Sequence, residues 1–209
     1  MTDASFDRSS WERRWAQVLR ESPDTLASRP PNAHLLAEVG DLPPALALDA
    51  GCGHGSEAIW LATSGWQVTA VDFSATALDY GRSTALAVGP DVAGRIEWVE
   101  GDLGSWAPAP RRFDLVSCLY VHVAGSVVEM VGRLGGGVAP GGTLLMVGHR
   151  PTDPATGAAT PAAGQVQVSV GEAVQALDPH DWQLVVAEER PRRAVGSGVD
   201  AVVRAVRRS

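Results

Sequence analysis

The stretch LALDAGCGHGSEAIW, residues 46–60, sets one acid and three glycines in alternation, Asp49, Gly51, Gly53 and Gly55, between an apolar run and a segment with helical spacing. Glycines spaced this way let a backbone turn tightly and pass close to a ligand, as nucleotide-like groups require at the start of a helix. Two ligand classes compete for such a turn. A dinucleotide asks for G-x-G-x-x-G or A, whereas here the third glycine arrives one position early and Ser56 stands in the sixth place. A carboxylate at position 49 would also face a pyrophosphate across a crevice of low dielectric, where it suits a cation instead.

S-adenosylmethionine is such a guest: it is cationic at sulfur and at its amino group and carries no phosphate. Asp72 closes the segment QVTAVD, 21 residues beyond Gly51, about where Rossmann-like sites keep the acid for two ribose hydroxyls. That feature fits either ligand. Ser74 is placed to cap the helix that follows, which leaves Asp72 to the ligand. Cys52 lies inside the turn, but neither it nor Cys118 has a companion cysteine or a close set of histidines, so both read as small buried fillers and no metal is expected.

Strands and helices must hold these groups, and the chain alternates them. Trp11 to Leu19 has helical spacing, with Trp11, Trp15, Val18 and Leu19 on one face, Ser9 or Ser10 as its cap and Pro23 as its end. After the breaker RPPN, HLLAEV predicts a short helix closed by Gly40. Residues 45–50, 67–72, 95–100, 113–119 and 143–147 read as strands, the last introduced by the turn APGG. Helices over 56–63, from the Ser74 cap to about Val88, and over 127–134 lie among them. Beyond His149, PTDPATGAATPAAG reads as a mobile loop, 172–177 as a helix, and 182–188 and 199–206 as a hairpin of strands.

Strands alternating with helices imply a parallel sheet covered on both faces. The expectation is an α/β, Rossmann-like fold: a seven-stranded, mostly parallel sheet with helices on both faces and an antiparallel last strand. One domain over 1–209 is expected, with a helical cap at 1–42, a cofactor-binding core at 43–149 and a substrate-side part at 150–209.

Composition narrows the partners. A net charge of −7 over 209 residues disfavours generic binding to nucleic acid or anionic membranes. The arginines at 190, 192, 193, 204, 207 and 208 read as a solvated C-terminal group. All 17 basic residues are arginine, so no lysine side chain is available for a Schiff base or a P-loop. Two cysteines, no secretory pattern at the start and no apolar run of membrane-spanning length make the cytoplasm the simplest location.

The motifs DAGCGHG, VTAVDFS, EWVEGDL, FDLVSCLYVHV and APGGTLLMVGH follow one another over residues 45–149. In order and spacing this series resembles the class I S-adenosylmethionine-dependent methyltransferases, and most of all the small bacterial tellurite-resistance and thiopurine methyltransferase types. The resemblance implies that Gly51, Gly53 and Gly55 pass the methionine part of the cofactor, with Asp49 near its amino group. Asp72 would take the ribose hydroxyls and Phe73 would lie against the adenine. Asp102 would receive the adenine amino group, and the Leu103 amide a ring nitrogen. The backbone at Cys118 and Leu119 would line the methionine side. Trp11 and Trp15 resemble the N-terminal tryptophans that help enclose the cofactor in the thiopurine type, although tryptophans at helical spacing also serve as ordinary core. Trp60, Trp66, Trp98, Trp106 and Trp182 read as packing.

Methyl transfer is an in-line displacement at an activated sulfonium, so the protein chiefly aligns the partners and excludes water, and a general base is optional. His122 and His149 lie at the carboxyl edge of the predicted sheet, where either serves as a base, an acceptor contact or a structural group. Arg150 anchors an acidic acceptor or is an exposed loop residue. The segment 150–165 is expected to admit and cover the acceptor. The absence of a large insertion between strands favours a small-molecule acceptor. Two other functions stay open: a catalytically silent S-adenosylmethionine-binding protein, and an NAD(P)-dependent oxidoreductase, opposed by Asp49 and the glycine spacing.

Overall fold

The apolar run ahead of the glycine turn, Leu46–Ala50, forms strand β1, and its last four residues are buried. Burial on both faces of a covered sheet explains why it reads as a continuous run rather than an alternation. The computed structural model describes residues 8–21, 30–122, 125–153, 156–159, 167–191 and 198–209. Its remaining strands are β2 (Gln67–Asp72), β3 (Ile96–Glu100), β4 (Phe113–Leu119), β5 (Val138–His149), β6 (Trp182–Pro191) and β7 (Val199–Arg207). The helices are α1 (Arg8–Glu21), α2 (Ala33–Val39), α3 (Ser56–Thr63), α4 (Ala75–Val88), α5 (Pro90–Ala93), α6 (Val127–Gly136) and α7 (Val170–Ala176).

The seven strands pair in the order β3-β2-β1-β4-β5-β7-β6. β7 runs antiparallel to both neighbours, β5 and β6, while β1 to β5 pair in parallel. This is the expected Rossmann-like sheet with its antiparallel last strand. Register aligns the functional ends: Asp49 stands between Ala70 and Ser117, and Ala50 between Val71 and Cys118. The glycine turn therefore leaves the sheet beside the ends of β2 and β4.

Adjacent strand residues point to opposite faces, and each face has its own core. Leu48, Val116 and Leu144 pack with Met130 and Leu134 of α6 and with Trp182. On the other face Leu115 and Leu145 pack with Leu35 of α2, Leu61 of α3 and Leu78 of α4. Each such fully buried leucine stabilises the fold by roughly 1.5–3 kcal/mol.

Several expectations are corrected. α1 begins at Arg8, so Ser9 and Ser10 lie inside its first turn rather than capping it; Pro23 falls outside the described residues. β5 begins at Val138, so APGG lies within the strand, at a shift in its register with β4 between Phe113 and Leu115. α5, with Pro90 at its first position, is an added turn of helix that GPDVAG supports once Gly89 ends α4. The C-terminal arginines are not a solvated group: Arg190 and Arg204 pair with Glu38 of α2, and Arg207 donates to the Gly135 and Val138 carbonyls. Residues 192 and 193 fall outside the described residues. In the segment 150–165, Thr152 and Ala159 form an isolated bridge, and the rest of the loop beyond 150–153 and 156–159 falls outside them. No described helix is long and apolar enough to cross a membrane.

Candidate functional site

At the carboxyl edge of β1 the chain turns through Gly51, Gly53 and Gly55, at φ of 80°, 53° and 84°. This left-handed backbone is strained for any residue with a Cβ. Space is short as well. A Cβ would collide with Val121 at Gly51, with Trp15 at Gly53 and with Trp98 at Gly55. The close approach foreseen for a ligand is thus shared with the protein's own side chains.

Asp49, the last but one residue of β1, is buried at 2 % exposure. Its Oδ1 accepts a bond from the Ser117 hydroxyl at 3.3 Å, whereas its Oδ2 is buried with no hydrogen-bond partner. Burial, then the neighbouring charges of Glu57 and Asp72, push its carboxyl well above the usual range. Asp72 is also buried, and burial raises its carboxyl too, with Glu12 adding to the effect. Its Oδ2 accepts the Gly53 amide at 2.8 Å and its Oδ1 the Ser74 amide at 2.9 Å. The Ser74 hydroxyl in turn accepts from Ala77. The acid therefore ties the glycine turn to the start of α4 and is not left to a ligand alone. Four acids, Asp49, Glu57, Asp72 and Glu12, gather here, and the field favours positive charge.

Phe73 is half-buried just beyond β2, Asp102 is exposed beyond β3, and Leu103 is buried. The Asp102 side chain accepts the Gly104 amide at 2.8 Å, and Arg133 of α6 holds the Leu103 carbonyl at 3.0 Å. Cys118 and Leu119 end β4, paired with Met146 and Val147. Cys52 and Cys118 are buried and unpaired, and burial raises both thiols, so neither is a reactive thiolate. No three His, Cys, Asp or Glu among the described residues could hold a metal.

α1 lies across this edge. Trp15 packs on His54 with ring centroids 5.4 Å apart, Trp11 on His122 at 5.6 Å, and Glu12 accepts the Ala75 amide at the start of α4 at 2.7 Å. An acid at a helix N-terminus is a favourable anchor.

The two histidines foreseen at the edge come together through residues that the sequence reading missed. Gln167 accepts the His149 amide at 2.6 Å, and its side-chain nitrogen lies 2.8 Å from His122 Nε2. Burial, then His149 and Arg14, lower the His122 conjugate acid to about 4. His149 Nδ1 lies 2.8 Å from Oδ1 of Asp200, which is fully buried. Asp200 Oδ2 accepts the Tyr120 hydroxyl at 3.0 Å and lies 3.2 Å from His34 Nε2. Tyr120 stacks on His149 at 3.9 Å between centroids and holds a positive φ of 57°. One signal was available: an acid inside VDAVVRAV, a largely apolar strand, asks for buried partners. Nothing in the sequence marked Tyr120 or His34. Arg150 pairs with Glu189 at 2.8 Å.

A separate cavity of about 330 Å³ opens at the amino ends of the strands, lined by Leu46, Gln67, Thr69, Arg95 and Glu97 among others. None of the groups above lines it.

Residues 47–142 match a family described as a methyltransferase domain. The ubiquinone biosynthesis O-methyltransferase of Serratia proteamaculans is 38% identical over 117 residues, which cover 54% of this chain and 46% of that protein. The chain thus spans less than half the length of that relative. Among solved structures, the 1,6-didemethyltoxoflavin-N1-methyltransferase of Burkholderia thailandensis, with bound 1,6-didemethyltoxoflavin and S-adenosylhomocysteine, superposes with TM-score 0.66 at 19% identity, over 100% of this chain and 92% of that one. The cyclase SpnF superposes with TM-score 0.64 at 13% identity, over 99% and 85%. The fold is that of the S-adenosylmethionine-dependent methyltransferases, and it also carries other chemistry.

Proposed function

We propose that this chain, which matches a methyltransferase domain over residues 47–142, transfers a methyl group from S-adenosylmethionine to a small-molecule acceptor. The observation that carries the reading is Asp49: a buried carboxylate with an unpartnered oxygen, among further acids at the mouth of a glycine turn. An uncompensated buried charge is costly, and a cation completes it. When bound, S-adenosylmethionine supplies a methyl group on a positively charged sulfur, with an amino group as a second cation.

In this reading Asp49 holds the amino group, Gly51, Gly53 and Gly55 pass the methionine part, and Asp72 takes the ribose hydroxyls. Phe73, Asp102 and the Leu103 amide form the adenine side, and the backbone at Cys118 and Leu119 lines the methionine side. The packing of Trp15 on the glycine turn and of Trp11 on His122 supports the finer likeness to the thiopurine type, with α1 as a cover that excludes water. The division into a cap at 1–42, a core at 43–149 and an acceptor side at 150–209 belongs to the same proposal. So does a cytoplasmic location, which two buried, unpaired cysteines support.

Calorimetric titration tests the cofactor: S-adenosylhomocysteine is expected to bind and raise Tm, and NAD to do neither. The reverse result overturns the reading. A methyl-release assay over phenols, amines and thiols then separates an enzyme from a silent binding protein.

A further inference from the structure

We infer that Arg133 of α6 is a positioning residue that sets the loop after β3 to read the amino edge of adenine, and so fixes which base the cofactor carries. The inference rests on the methyl-transfer reading above and adds to it a side chain outside the cofactor contacts named there.

Beyond β3 the chain folds back on itself over residues 101–106. The Gly101 amide donates to the Asp72 carbonyl at 3.0 Å, and the Ser105 and Trp106 amides donate to the Asp102 carbonyl at 2.9 and 2.6 Å. The peptide that joins Leu103 to Gly104 is held at both ends. Its N–H donates to Asp102 Oδ1 at 2.8 Å, and its carbonyl accepts from Arg133 Nη2 at 3.0 Å. The Leu103 side chain is buried against the glycine turn, where a Cβ built on Gly51 would come within 3.5 Å of it.

Two groups of this loop make no hydrogen bond to the described residues: Oδ2 of Asp102, which is exposed, and the Leu103 N–H. An acceptor thus stands beside a donor on adjacent residues. The amino group and N1 of adenine present the matching donor and acceptor on one edge, whereas hypoxanthine presents an oxygen and a ring N–H there, the opposite pair.

Arg133 lies in the last turn of α6, where a cation suits the helix dipole. The dipole alone would leave its side chain free to reach solvent. Instead its Nε is buried without an acceptor, and the Leu103 carbonyl is its one hydrogen-bond partner among the described residues. Helical side chains lean towards the N-terminus of their helix, and α6 starts beyond the carboxyl end of β4, so the arginine leans towards the cofactor edge. A bond from a charged donor is stronger than a neutral one. α6 is itself packed on the sheet by Val127, Met130, Val131 and Leu134. Through Arg133 this packed layer fixes the Leu103–Gly104 peptide, and with it the directions of Asp102 Oδ2 and the Leu103 N–H.

Calorimetric titration of the full chain with S-adenosylhomocysteine and with S-inosylhomocysteine tests this, in wild type, Arg133→Lys and Arg133→Met. Wild type is expected to prefer the adenine ligand by about 30-fold or more. In Arg133→Met the adenine ligand is expected to weaken by about 10-fold and the inosine ligand to change less than about threefold, so that the preference collapses. Arg133→Lys, the milder change, keeps the charge but not the reach, and is expected to lower the preference by about threefold, so the comparison does not hang on one variant. An arginine with only a structural role would lower Tm and both affinities together. Equal losses on the two ligands, or no loss on either, overturn the inference while the proposed function stands. Wild type that binds neither ligand overturns the proposed function, and wild type that binds both alike overturns the adenine contacts of Asp102 and Leu103; the inference falls with either.

Discussion

The indole of Trp15 closes on the bare face of Gly53, so that a Cβ built there would come within 2.8 Å of Trp15 Cζ2. Gly53 also lies at φ 53°, in left-handed backbone, and its amide is held by Asp72. Two costs therefore meet in Gly53→Ala: the backbone penalty, about 1–2 kcal/mol, and displacement of the tryptophan. Trp15→Ala removes the second cost and leaves the first. A double-mutant cycle by urea unfolding is expected to give coupling of about 0.5 kcal/mol or more, with Gly53→Ala milder in the Trp15→Ala background. Strict additivity would mean that α1 does not rest on the turn.

Asp49 stands in a different balance. Its raised carboxyl means that ionising it opposes folding: the stability it contributes in the protonated form is present at low pH and lost as pH rises through its folded value. Asp49→Asn is thus expected to leave the unliganded protein equally or more stable near neutrality, by up to about 1–2 kcal/mol. The same change is expected to weaken S-adenosylmethionine by roughly 1–3 kcal/mol, the worth of a charged hydrogen bond. Binding in the wild type draws Asp49 into its ionised form and releases protons, measurable as a dependence of calorimetric heat on the buffer's ionisation enthalpy. Affinity independent of pH and no proton release would count against the cation role.

The sheet and its glycine turn were legible because local signals and global demands coincide there. Ser56–Thr63, Gln67–Asp72 and Phe113–Leu119 fall where the apolar runs and their Ser, Gly and Asp boundaries put them. APGG misled because a turn signal inside a strand also serves an irregular register, and pairing with β4 decides between the two. For Asp72 the sequence offers capping or ligand binding as alternatives, yet a carboxylate has two oxygens and both amides lie in reach. The His149–Asp200 pair joins residues 51 positions apart through the antiparallel pairing of β5 with β7, which no local pattern encodes.

Tyr120 shows how such a contact reshapes the backbone. A tyrosine at φ 57° costs about 1 kcal/mol or more, which its stacking on His149 and its bond to Asp200 offset. Tyr120→Gly relieves the backbone but loses both contacts, and is expected to be destabilising overall. Tyr120→Phe keeps the stack and removes a donor to a buried carboxylate, at an expected cost of about 1–2 kcal/mol in thermal unfolding. A Tyr120→Gly protein more stable than wild type would show that the contacts do not sustain the conformation.

His122 supplies the acid-side prediction. Burial first, then His149 and Arg14, lower its conjugate acid from 6.5 to about 4, so the unfolded chain takes up this proton at higher pH than the folded one. The stability contributed by the neutral ring is present above pH 6.5 and is lost as pH falls towards about 4. His122→Asn has no such proton to take up. Its unfolding free energy, measured in urea across that window, is expected to fall less steeply with acid than that of the wild type, by less than one proton's worth because solvent screens a half-buried ring. Asp49 and Asp72 act in the opposite sense, since their raised carboxyls favour the folded state as pH falls, and both are present in each protein. The difference between the two slopes therefore reports His122, and identical slopes would mean that the ring is not held neutral at this edge of the sheet.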